Sequence, residues 1–167
     1  MTVANTNSTH GQSGAVEPLK WPKYFQDYVD DLRRRPPAIN FSIPYFGAED
    51  RAYRDVCAQI KKRTRCSLKA WLRIDQRYVV ARELSALLAR ICRWPNDFFI
   101  PDDPFEVLCH SALFLDDFPM MDLCLAMIEQ FEIRGDEISA DDWTGLLKLN
   151  LGQVVDFVIL RMPGGIP

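Results

Sequence analysis

The sequence predicts an all-α protein. Apolar residues recur at i, i+3, i+4 and i+7 in one stretch after another, which is the stripe of an amphipathic helix. The stretches end on helix breakers, Pro36-Pro37 and Trp94-Pro95 among them. The chain has 167 residues, 48% apolar and 26% charged. That is enough for one soluble domain to bury roughly 68–70% of its unfolded surface without a metal or disulfide staple.

Residues 1–20 are polar and small, with no apolar core of a secretory signal, and read as a disordered tail. In Trp21–Arg35, Phe25, Tyr28, Val29 and Leu32 share one face, and Arg33–Arg35 suit the negative end of the helix dipole. Residues 38–47, aromatic and broken by Pro44, read as an extended segment over a core. Tyr53, Val56, Cys57 and Ile60 predict a helix over Glu49–Arg63, and a short helix holding Leu68, Trp71 and Leu72 follows. The clearest helix is Gln76–Arg93, with Val80, Leu84, Leu87, Leu88 and Ile91 in one stripe.

Residues 95–118 read as a long connection ordered by its own apolar residues, with a helical turn near Pro104–Cys109. Pro119–Phe131 is helical, with Met120, Leu123, Cys124, Met127 and Ile128 inward. Ser139 and Asp142 suggest a capping box, in a weaker Asp variant, before a short helix holding Trp143, Leu146 and Leu147. Leu151–Met162 is the last helix, and residues 163–167 are a flexible tail. The expected architecture is an irregular four-helix bundle over residues 76–162, with two or three extra helices in residues 21–75.

Residues 1–95 hold 17 basic and 9 acidic side chains, net +8, whereas residues 96–167 hold 3 and 14, net −11. Either the halves face each other and partly neutralise, or an acidic end is offered to a basic partner. The run Lys61-Lys62-Arg63-Thr64-Arg65 reads as a solvated helix end, and nucleic-acid binding is not expected of so acidic a chain. The pairs Asp102-Asp103 and Asp116-Asp117 read as solvated caps at turns.

Five cysteines at wide spacings, with no CxxC, read as free and buried thiols of a reducing cytoplasm. Two histidines, His10 and His110, are too few for a structural zinc site. There is no phosphate-cradling glycine loop, no HExxH and no nucleophile–base signature. No catalytic residue, cofactor, metal, small-molecule substrate or membrane span is expected, and the chain is read as a cytoplasmic non-enzyme.

The order of elements in residues 76–162 resembles an acyl carrier protein: a long first helix, a long loop, a second helix, a short third and a closing fourth. The family's Asp-Ser-Leu motif falls on Asp116, Asp117 and Phe118. Its Leu and Ala match Leu123 and Ala126, and its Glu-Glu-Phe matches Glu129-Gln130-Phe131. Ile138 matches once three loop residues are added, and the closing helix is similar to Leu151 through Val158, with Asp156-Phe157 for the family's Asp-Tyr. Asp117 stands where the family carries phosphopantetheine on a serine, and aspartate has no hydroxyl to accept the phosphoryl group. The nearest serine, Ser111, lacks the preceding acid. The chain thus looks like the carrier-like bacterial proteins that lack the serine. The resemblance implies a protein-binding module whose second helix meets a basic partner through Asp116, Asp117, Asp122 and Glu129. The alternative is an immunity protein that neutralises a bacterial toxin.

Overall fold

The computed structural model describes residues 16–34, 48–64, 70–71, 76–114, 119–134 and 139–163. Among these the protein is all-α, with seven helices and no strand. They are α1 (Lys23–Arg34), α2 (Ala48–Lys61), α3 (Gln76–Ile91), α4 (Phe105–Phe114), α5 (Pro119–Phe131), α6 (Ala140–Leu146) and α7 (Leu151–Arg161). The expected extended segment at 38–47, and most of the short helix at Leu68–Leu72, lie outside the described residues.

In α1 the apolar stripe buries Phe25 fully, and the Phe25 ring packs on Trp21 at 4.9 Å and on Tyr28 at 5.8 Å. α2 opens on Glu49 and Asp50 and ends on Lys61, charges that favour both ends of its dipole. Its inward face repeats every fourth residue, at Ala52, Val56 and Ile60, all fully buried. α1 packs on α2, and α3 packs on α4, α5 and α7. One continuous apolar cluster joins Trp21, Phe25, Val56 and Ile60 to Leu84 and Leu88 of α3, Leu123 and Met127 of α5, and Val154 and Val158 of α7. Each such side chain contributes up to about 1.5–3 kcal/mol on leaving water.

The connection after α3 contains more helix than the sequence suggests. Instead of a turn near Pro104–Cys109, α4 runs ten residues to Phe114. It is apolar on most sides, with Phe105, Val107, Leu108 and Cys109 all buried, so it shows no stripe for periodicity to detect. α3 and α5 end alike. Arg93 and Glu132 take left-handed φ of 55° and 52° just past the last helical residues. The following amides reach back, Trp94 N–H to the Ala89 carbonyl at 2.9 Å and Ile133 N–H to the Ile128 carbonyl at 3.0 Å. Trp94 and Ile133 are themselves buried, completing two helix-ending motifs without glycine.

α6 and α7 start on complete capping boxes. Ser139 Oγ accepts from Asp142 N–H while the Asp142 carboxylate accepts from Ser139 N–H, so the Asp variant is fully formed. Asn150 and Gln153 do the same for α7.

The segment 94–104 is pinned from several sides. Trp71 Nε1 donates to the Phe99 carbonyl at 3.0 Å, and Trp94 Nε1 donates to the Leu108 carbonyl at 2.8 Å. Tyr53 stacks on Trp94 at 4.9 Å and donates its hydroxyl to the Arg93 carbonyl at 2.6 Å. The far end is stitched to the start of α7. Leu151 N–H donates to the Asp103 carbonyl and Gly152 N–H to the Pro101 carbonyl, both at 2.8 Å. Gly152 eases this approach: a Cβ there would lie 3.1 Å from Pro101 Cβ and 3.2 Å from Arg77 Nη2, so these neighbours would have to give by a few tenths of an ångström.

Candidate functional site

Two charged features stand out, one inside the protein and one on its surface. The inner one corrects two expectations. Asp102 is exposed, but Asp103 is fully buried rather than a solvated cap. Likewise Lys61 and Lys62 are exposed, whereas the Arg63 side chain is only 5% exposed. The two form a bidentate pair: Arg63 Nη2 meets Asp103 Oδ1 at 2.7 Å and Nη1 meets Oδ2 at 2.5 Å. The remaining capacity of the carboxylate is filled by the Leu19 and Ile100 amides, each at 2.8 Å. Arg63 donates further to the carbonyls of Phe98 at 3.3 Å and Glu17 at 2.7 Å. A buried ion pair is tolerated when its hydrogen bonds are complete in this way. With every lone pair engaged, the pair is a structural tie rather than an acid or base open to a substrate.

Arg63–Asp103 joins the basic half of the chain to the acidic half. Arg77 does the same near the surface, its Nε 2.7 Å from Asp156 Oδ1. The two halves therefore face each other and partly neutralise along these seams.

The surface feature is the outer side of α5. Leu123, Met127 and Phe131 point inward, four residues apart, and hold the helix on the core. On the opposite side Asp122 and Glu129 are exposed, and Leu125 between them is 58% exposed. At 1.5 Å per residue the two carboxylates lie about 10 Å apart along the axis. Neither makes an ion pair with a described residue. α5 contains no basic residue. Of the four expected contacts, Asp122 and Glu129 thus share one face, while Asp116 and Asp117 lie outside the described residues. Leu125 is the residue that sequence reasoning missed. Its signal was available: with Leu123 and Met127 inward, position 125 falls about 200° around the helix from Leu123.

Among the described residues Cys57, Cys109 and Cys124 are poor nucleophiles. Burial pushes Cys124 up to about 12 and Cys109 well above its ordinary value, and it also raises Cys57. A reactive or metal-binding cysteine needs the opposite shift. Among the described residues, Cys57, Cys92, Cys109 and Cys124 are free, and no group of three or more His, Cys, Asp or Glu is placed to hold a metal. His110 and Ser111 lie on α4, away from the acids of α5 in sequence. Among the described residues no helix is long and apolar enough to cross a membrane.

No protein-family model matches this chain, and no curated protein or solved structure matches it significantly.

Proposed function

We propose that this chain is a non-catalytic protein-binding module that presents the outer side of α5 to a basic partner. The observation that carries the reading is Leu125, 58% exposed between two exposed carboxylates. An apolar side chain ringed by like charges suits a docking contact: the leucine supplies area to bury, and the acids steer a basic surface to it and fix its register.

The helix order of residues 76–162, a long α3, a connection that holds the additional helix α4, then α5, a short α6 and a closing α7, supports a carrier-like scaffold with one helix added to its long loop. The aspartate at position 117 supports a scaffold without a phosphopantetheine arm, because only an alcohol can take that group. On this reading recognition is the remaining role of the second helix.

The test is binding by the full chain and by two variants, Asp122→Lys/Glu129→Lys and Leu125→Ala. The reading expects a partner retained at low salt, released as salt rises, and lost from both variants. A partner retained equally by all three proteins would overturn it. Treatment with a phosphopantetheinyl transferase and coenzyme A is expected to leave the intact mass unchanged, and a mass gain of one prosthetic group would overturn the armless scaffold.

A further inference from the structure

The segment just ahead of α1 is bound in an unusual way. Residues 16–20 form no helix, and among the described residues they make no hydrogen bond from main chain to main chain. Their backbone is instead read by three side chains. Arg63 Nη2 donates to the Glu17 carbonyl at 2.7 Å, and Asp103 Oδ1 accepts from Leu19 N–H at 2.8 Å. Gln59 clamps Lys20 from both sides, Oε1 accepting from its N–H at 3.2 Å and Nε2 donating to its carbonyl at 2.8 Å. Only one side chain enters the protein: Leu19 is 2% exposed, while Val16, Glu17, Pro18 and Lys20 are exposed.

The ion pair at the centre of this seat outlasts its occupant, and water can take up the two bonds to Leu19 and Glu17 that are vacated. Without residues 16–20, Asp103 keeps both bonds to Arg63 and the bond from Ile100 N–H, and Arg63 keeps the Phe98 carbonyl. Nor do the described residues roof the segment over. Open clefts of about 650 and 400 Å³ run beside it, the first toward Gln26 and Val107 and the second toward Lys62 and Thr64. None of the seven described helices has to move for it to leave.

We propose that Gln59, Arg63 and Asp103 form a receptor for an extended peptide, and that residues 17–20 of the same chain close it in cis. The ligand is an extended peptide with a leucine-sized side chain, read through its main chain as residues 17–20 are. Such backbone recognition takes affinity from main-chain bonds and selectivity from the single pocket. A tethered occupant competes at roughly millimolar effective concentration, so the receptor is shut in the resting chain. The seat is separate from the α5 face and stands or falls independently of it.

The test uses the full chain with Leu19→Asp, which places a carboxylate where the leucine sits, beside that of Asp103, and so ejects the segment. The probe is a fluorescein-labelled peptide of residues 16–23. Binding by the variant at least about ten-fold tighter than by the unsubstituted chain, and lost when the peptide itself carries Leu19→Asp, supports the receptor. A folded variant that leaves millimolar peptide unbound overturns it. Native-state hydrogen exchange on the unsubstituted chain decides the matter even where the variant fails to fold. Leu19 and Lys20 amides that exchange through a local opening support the proposal, and exchange only together with the amides of α3 and α7 overturns it.

Discussion

Asp103 and the outer side of α5 show two opposite uses of acid in one small protein. Asp103 is fully buried and takes four N–H donors, two of them from Arg63. Asp122 and Glu129 face water, with no described residue paired to them. Asp103 binds distant parts of the chain together, its carboxylate to Leu19 and Arg63 and its main-chain carbonyl to the start of α7. The second pair is tied to no described residue, which leaves its charge open to another molecule. Charge counts alone cannot separate these roles; desolvation does.

The contrast can be broken most directly at its buried end. Asp103→Ala leaves Arg63 buried and unpaired, and is expected to cost about 3–5 kcal/mol in urea unfolding. Glu129→Ala in the same assay is expected to change stability by less than about 0.5 kcal/mol. Equal costs for the two would erase the distinction.

A second substitution probes the tightness of the seam beside Asp103. Gly152→Ala drives a Cβ against Pro101 and Arg77, and a loss of about 1–3 kcal/mol is expected from denaturant midpoints. Asn150→Ala removes the cap of α7 next to that seam, and should cost about 1 kcal/mol by the same measure.

The smallest effect sharpens the comparison with an intermediate case. Asp142 lies near the surface, yet the Ser139 amide and hydroxyl, with Arg161 adding a smaller pull, hold its carboxyl below the ordinary 3.8. A depressed folded pKa means that its contribution is present above the unfolded value and fades as pH falls through the folded one. Asp142→Asn should therefore differ from the parent at pH 7, and the gap should narrow below pH 4 in thermal melts followed by circular dichroism.

Much of the fold could be read from side-chain spacing because amphipathic helices repeat a local rule. Phe25 with Tyr28, Val80 with Leu84 and Leu88, and Val154 with Val158 each mark one face within a few residues. α4 escaped because a helix buried on most sides has no contrast between faces. Arg63–Asp103 escaped for a different reason. Asp102 and Asp103 look alike in sequence, and what separates them is a partner 40 residues away. The Asn150–Gln153 box was legible in principle as a capping pair. The α5 acids were legible as charge, but Leu125 only becomes informative once the inward direction of the helix is fixed.

The two indole N–H groups that hold the 94–104 connection give it a built-in optical reporter. Trp71 and Trp94 sit in a dry setting, each tied to a carbonyl along or just beyond that stretch, and Trp94 also stacks on a phenol ring. Loosening of the connection would let water reach both rings and shift their emission to the red while the far-ultraviolet signal of the helices persisted. The order of those two changes during unfolding would reveal whether this tie opens before the helices around it.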